Sequence, residues 1–252
     1  MAGRFENKIA VVTGGSSGIG LATAKAFAAE GATVVIAGRG AAALADAAAA
    51  ISQESGGEVA TYQLDVSSLA SIQEVFAAIT ARFGVIDALF VNAGASSMIP
   101  IERVTEADWD KIHSTNLKGV FFTIQAALTA LKPGSAVVIN ASVAPHAPIP
   151  GCSIYAASKA GATTLGRTLA VELAPRGIRV NVVSPGPTDT PLAGRTIGVP
   201  AEAVPHVREM MAKTPLGRAG HPGEIAEAVL FLASSGYTTG TELIVDGGIS
   251  AA

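Results

Sequence analysis

The sequence predicts a doubly wound α/β domain, a seven-stranded parallel sheet with helices on both faces. Three observations point there. Short β-rich runs alternate with longer helical patterns along the 252 residues, and strand–helix alternation argues for parallel strands joined by right-handed crossovers. Apolar residues make up 49% of the chain and charged residues 15%, as expected where strands are buried on both faces and read as continuous apolar runs. The first such run ends in a glycine-rich turn, TGGSSGIG at 13–20, with a helical pattern behind it.

Strands are expected at 9–12, 33–37, 59–64, 88–91, 136–140, 179–183 and 242–245. Helices are expected between them at 19–30, 41–55, 68–83, 106–131, 155–174 and 222–233. The run AAALADAAAA at 41–50 looks low in complexity, but alanine is the best helix former and a surface helix is the plain reading. With no linker in view, residues 1–252 read as one domain. One stretch breaks the rhythm: seven of the 13 prolines fall between 185 and 222. A long irregular segment in a compact domain is usually functional or mobile. This one follows the sixth strand at the carboxyl edge of the sheet, where open α/β folds bind ligands. A substrate lid is therefore expected at about 187–221.

Composition excludes several classes. Net charge is −3 and the Lys and Arg residues are scattered, so no nucleic-acid footprint is present. No run reaches the roughly 18 apolar residues of a membrane span. The N-terminal residues lead straight into a strand without an apolar signal core, and a cytoplasmic protein is expected. Cys152 is the single cysteine, which rules out an internal disulfide. The four histidines are dispersed, so no metal cluster is expected.

The first βα turn of such a fold must bring backbone close to a pyrophosphate. Side chains at Gly14, Gly18 or Gly20 would obstruct the turn, the phosphate approach or the helix–strand contact. The helix that follows offers free N–H groups and a positive dipole end. Its position after the first strand favours this reading over a plain tight turn. Specificity is read at the end of the second strand, where an NAD site carries Asp or Glu for the ribose 2′-OH. Here Gly38 takes that place and Arg39 follows. A missing acid removes repulsion against a 2′-phosphate, and a guanidinium can clasp one, so NADP(H) is expected, with NAD(H) possible. Arg39 also fits a plain solvated side chain. Ser16 and Ser17 add hydroxyls but no second positive charge.

The strongest evidence lies at Ser142, Tyr155 and Lys159. Phenol and amine four residues apart share one helix face. A nearby ammonium favours phenolate and lowers the phenol pKa, which makes Tyr155 a usable general acid or base. Ser142 follows the fifth strand, placed to donate where negative charge develops on a substrate oxygen. Each residue alone has a plainer reading: a packed ring with a snorkelling amine, a turn cap, and for Asn116 a poor helix former inside a predicted helix.

Taken together, the motifs resemble the short-chain dehydrogenase/reductase family across the whole chain. They are TGGSSGIG at 13–20, Asp65-Val66, NAG at 92–94, Asn116, Ser142, YAASK at 155–159 and PGPTDT at 185–190, with the interval from Ser142 to Tyr155 also matching. The resemblance implies that Tyr155 exchanges a proton with the substrate oxygen. Lys159 lowers its pKa and binds the nicotinamide ribose, Ser142 polarises the carbonyl, and Asn116 holds a water linking Lys159 to solvent. It further implies cofactor contacts from Ile19, Asp65, Val66, Asn92, Ala93, Gly94, Pro185, Gly186, Thr188 and Thr190. Thr188 departs from the apolar residue frequent at its position. A homotetramer is implied as well, as is a small carbonyl or alcohol substrate.

For the substrate, Ala144, His146, Ile149 and Cys152 in the proline-stiffened stretch VAPHAPIPGCSI are candidates to face it. From the lid, Leu192, Ile197, Val199, Val204, Met210 and Met211 suggest an apolar wall. The expected activity is hydride transfer between NADP(H) and a ketone or secondary alcohol. An NAD-dependent alcohol dehydrogenase of the same family and a catalytically silent NADP-binding regulator are the alternatives.

Overall fold

Strand residues one apart send their side chains to opposite faces, and the buried residues sort accordingly. A computed structural model describes residues 3–192 and 214–252. Val34 and Ile36 join one hydrophobic cluster, while Val35 and Ala37 join the other. The strands carrying this pattern are β1 (Ile9–Thr13), β2 (Thr33–Gly38), β3 (Val59–Gln63), β4 (Ile86–Val91), β5 (Leu131–Asn140), β6 (Arg179–Pro185) and β7 (Glu242–Val245). They form one seven-stranded sheet in the order β3-β2-β1-β4-β5-β6-β7, with every pairing parallel. This is the expected doubly wound, Rossmann-like architecture. Strand order reverses between β1 and β4, and in such sheets the ligand crevice opens at that switch point, beyond the carboxyl ends of the strands.

One face is covered by α1 (Gly18–Ala29), α2 (Ala41–Ser55) and α7 (Pro222–Ser234). Phe27, Phe90, Leu44 and Val229 are buried beneath them. The other face carries α3 (Leu69–Phe83), α5 (Gly119–Ala127) and α6 (Ser153–Leu173), which bury Phe76, Ile79, Ile124 and Ala162. Each fully buried Phe or Leu contributes about 1.5–3 kcal/mol relative to exposure, so both layers are held firmly against the sheet. Local signals agree with the packing. Ser68 caps α3 by accepting from the Ser71 N–H, and Gly84 ends that helix in the left-handed region.

One expected element is broken. The helix read at 106–131 is α4 (Glu106–His113), a π-helical turn (Ser114–Lys118) and α5, with β5 already beginning at Leu131. The wide turn carries Asn116, whose side chain is drawn to the backbone of Ala95. Side-chain capture of this kind opens a helix locally, and π turns collect at functional sites. Periodicity did not reveal it, because the apolar spacing continues through the turn.

Most of the expected lid, including Ile197, Val199, Val204, Met210 and Met211, lies outside the described residues. Its two described ends meet. Thr188 and Gly220 form a parallel bridge, Asp189 N–H donates to Gly220 O at 3.0 Å, and Gly220 N–H donates to Pro187 O at 2.8 Å. Among the described residues, no helix is long and apolar enough to cross a membrane.

Candidate active site

Four elements converge at the carboxyl edge of the central strands. Tyr155 and Lys159 lie in the first two turns of α6, and Ser142 stands two residues beyond β5. Ser142 is buried, and its Oγ accepts the Ala144 N–H at 3.2 Å. Lys159 is 5% exposed, and its Nζ donates to the carbonyl of Asn140 at 2.8 Å. The same Nζ lies 5.9 Å from the centre of the Tyr155 ring. Asn116 is fully buried. Its Oδ1 accepts from Ala95 N–H and its Nδ2 donates to Ala95 O, both at 2.8 Å, and Nδ2 also reaches Ser158 Oγ at 3.1 Å. Ser158 in turn donates to the Tyr155 carbonyl at 2.7 Å. The π turn is thereby tied to the α6 turn that presents the phenol. Gly94 closes the group: a β-carbon there would lie 3.4 Å from Asn116 Oδ1 and 3.6 Å from Lys159 Nζ. The four residues expected to act together are brought together.

At the dinucleotide end, Gly20 packs so tightly that a β-carbon would meet the Gly14 carbonyl at 2.1 Å. Gly18 has φ +54°, in the left-handed region, and Thr190 sits over it. Helix α1 starts with no side-chain cap from Ser17 and no acidic residue in its first turn. Its N–H groups and positive dipole end are thus open to an anion, and this cradle fits a pyrophosphate. The loop after β6 folds back over it: Gly186 N–H donates to Val245 O at 2.9 Å, and Thr188 Oγ1 donates to Gly186 O at 3.0 Å. Ile19, half-buried, packs on the α1 side of the core. Val66 is buried. Arg39 is exposed at the end of β2. A side chain at Gly38 would stand 3.8 Å from Ser16 Oγ, so Gly38, Ser16 and Arg39 border one open corner. Asp65 faces the same corner. Hydrogen bonds from the Ser67 hydroxyl and N–H hold its carboxyl below the usual range, with a smaller contribution from the Arg39 charge.

A set of polar side chains at the strand ends binds this site together. Asn140 Nδ2 donates to Asn92 Oδ1 at 2.8 Å, and Asn92 Nδ2 donates to Thr13 O at 3.0 Å and Gly14 O at 3.3 Å. Thr13 Oγ1 accepts from Asn92 N–H at 3.0 Å and Ala93 N–H at 3.1 Å. A relay across β5, β4 and β1 thus links the carbonyl that holds Lys159 to the glycine turn. Asn140 lies outside every motif, and Thr13 and Ser158 lie inside two of them without a role assigned, because an Asn, Thr or Ser has many ordinary uses. Only the adjacency of three strands gives these their meaning.

Ala144 and Cys152, both between Ser142 and Tyr155, are buried and line a cavity of about 520 Å³ with Pro100, Pro148 and Ile149; Ser142 and Tyr155 themselves are not among its lining residues. Burial pushes the Cys152 thiol up, so it is a neutral hydrophobe and not a thiolate. Leu192 is exposed at the margin of the described chain. His146 departs from the expected arrangement. Its imidazole Nε2 lies 2.7 Å from Glu242 Oε1 on β7, a partner the sequence did not suggest.

The enoyl-(acyl carrier protein) reductase family model matches residues 14–250. The 3-oxoacyl-[acyl-carrier-protein] reductase FabG of Thermotoga maritima is 40% identical, over 98% of this chain and 99% of its own. A crystal structure of levodione reductase superposes with TM-score 0.92 at 35% identity, covering 98% of this chain and 99% of that one. A short chain dehydrogenase from Burkholderia cenocepacia in complex with NADP superposes with TM-score 0.91 at 33% identity, covering 99% of this chain and all of that one. The chain belongs to the short-chain dehydrogenase/reductase family.

As a short-chain dehydrogenase/reductase it is an oxidoreductase of a class that uses nicotinamide dinucleotides. The electrostatics of its phenol depart from the expected lowering. Burial pushes the Tyr155 hydroxyl up, and a hydrogen bond with Ser142 pulls it part of the way back. Lys159 does not offset this: its amine is committed to Asn140 O, and burial lowers its own pKa to about 8. The pair therefore rests as a neutral phenol beside an ammonium at neutral pH, which is the proton-donating form.

Proposed function

We propose that this short-chain dehydrogenase/reductase reduces uncharged ketones with NADPH, and oxidises the corresponding secondary alcohols with NADP, through Asn116, Ser142, Tyr155 and Lys159. The observation that carries the reading is the half-buried phenol bonded to Ser142 one turn before a buried ammonium. When bound, the dinucleotide supplies a hydride to the carbonyl carbon. The remaining work belongs to the protein. The Ser142 hydroxyl donates to the carbonyl oxygen as charge develops there, and Tyr155 gives that oxygen its proton. The Lys159 ammonium stabilises the phenolate left behind, and Asn140 O keeps the amine in place. Asn116 fixes the Ala95 backbone and the α6 turn, and beside them a water returns the proton from solvent.

Gly38, Ser16 and exposed Arg39 support NADP over NAD, because the corner they border holds no acid at position 38 and carries a guanidinium. One observation favours the NAD-using alternative: the Arg39 charge already acts on Asp65. Initial rates over a ketone panel with both reduced cofactors test the whole reading. Arg39→Ala is expected to weaken NADPH binding about tenfold, the loss of one charge-assisted contact, with little change for NADH. Unchanged NADPH affinity in that variant would remove Arg39 from the site.

The cavity supports an uncharged, largely apolar substrate. Among the described residues that line it, Glu102 is the one that carries a charge, and an anionic substituent there would meet repulsion. Exposed Trp109 and Phe121 on one side of the sheet and Phe231 on the other offer apolar surface on two faces, which supports assembly as a homotetramer.

The pH dependence follows from the pair. Below about pH 8 the ammonium is intact and the phenol holds its proton, so kcat for reduction is expected to be flat from about pH 6 to about 7.5 and to fall above about 8. Alcohol oxidation needs phenolate and is expected to climb over the same range. The apparent pKa belongs to the pair and not to either group. A reduction rate that rises with pH would contradict the assignment of Tyr155 as donor.

A further inference from the structure

Glu242 opens β7 with its side chain only 5% exposed. A buried carboxylate needs partners, and three groups from three elements meet it. Arg167 of α6 lies 3.0 Å from Oε2, while Ser184 of β6 and His146 each lie 2.7 Å from Oε1. Arg167 supplies the compensating charge and Ser184 a fixed hydroxyl donor, both from the body of the fold. His146 comes from elsewhere: it stands four residues past Ser142, in the segment that runs on to α6.

That segment walls the apolar cavity. Its start is tied by Val143 N–H to Pro185 O at 2.9 Å, and its end by Ile99 N–H to Gly151 O at 2.8 Å. In between are three prolines, alanines and Ile149, none of which has a side chain able to hydrogen-bond. Only His146 carries a side chain that reaches a charged group, and the group it reaches is Glu242. The far end of the segment is Cys152, which stands at the start of α6, three residues before Tyr155. A shift of the segment would therefore move both the cavity wall and the surroundings of the phenol.

We propose that Glu242 is a positioning residue which, through His146, holds residues 143–152 in the shape that decides which ketone substituents the cavity accepts. This rests on the ketone-reductase reading of the site. A hydrogen bond to a carboxylate is about twice as strong as a neutral one. Losing it frees a stretch that, among the described residues, is otherwise anchored to the rest of the fold near its ends.

The test uses the whole chain and begins without substrate. His146 is partly exposed in a loop, so His146→Ala is expected to fold. Amide hydrogen exchange across 143–152 is expected to quicken about tenfold, and His146→Gln, whose amide can donate to the same carboxylate, is expected to restore most of the protection. In a Glu242→Ala background, His146→Ala is expected to add nothing. With ketones, KM for a ring-bearing substrate is expected to rise several-fold in His146→Ala, with a much smaller change for a short acyclic one. Exchange in His146→Ala equal to wild type, or a glutamine that restores nothing, overturns the proposal. Absence of turnover in the wild type would overturn the ketone reading instead, and the exchange result would still decide the role of Glu242.

Discussion

Replacing Tyr155 with phenylalanine is expected to cut turnover by about 10²–10⁴-fold, the range over which a positioned acid or base acts, while dinucleotide affinity changes by no more than about twofold. The phenylalanine ring keeps the shape of the residue on α6, and only the hydroxyl is lost. Ser142 then loses its phenol partner, and one unmet hydroxyl in a mostly buried place costs about 1 kcal/mol. The variant should therefore fold with a slightly lower melting temperature. Single-turnover NADPH absorbance and isothermal titration with the cofactor separate the two effects. A variant that retains a tenth of wild-type turnover would place the proton donor elsewhere.

Lys159→Met is expected to inactivate the enzyme and to stabilise the dinucleotide-free protein. Burial has brought the amine down to about 8 from 10.5, so carrying its charge at neutral pH costs the fold about 3 kcal/mol. Removing the amine also strands the Asn140 carbonyl that it serves, an offset of about 1–2 kcal/mol. The net expectation is a gain of about 1–2 kcal/mol, or a few degrees in melting temperature. The sign with pH is definite. A base whose pKa is depressed by folding destabilises the native state below its folded pKa, and the penalty fades as pH rises from about 8 toward 10.5. Melts at neutral pH and at about pH 10 check this: the advantage of the methionine variant should shrink at the higher pH. A variant less stable than wild type at neutral pH would mean that the ammonium is a net structural contributor. The expected result is instead the trade of stability for activity usual at catalytic groups.

Much of this site is legible in one dimension because the chemistry demands particular atoms at helix and turn spacings. Tyr155 and Lys159 must be four apart to share a face. Gly14, Gly18 and Gly20 must lack side chains where backbone approaches backbone. Other parts carry no such signature. Asn116 was found by resemblance, yet the π turn that presents it was not, since the apolar pattern of 106–127 runs through unbroken. The phenol was expected to be acidified by its neighbouring amine. The direction of its shift is set by burial, and burial depends on packing from β4, β5 and α6 together.

The sequence alone determined the strand–helix alternation, the glycine turn and the Tyr–Lys pair, because each rests on residues close along the chain, and the alternation in turn implied parallel strands joined by crossovers. The tertiary structure decided the rest. It tied Asn140 to Asn92 and Thr13, sent Lys159 to a carbonyl on a neighbouring strand, and gave His146 a carboxylate 96 residues away on β7. Those contacts join strands and loops far apart along the chain. Their partners are selected by strand order and packing, which no local pattern of residues encodes.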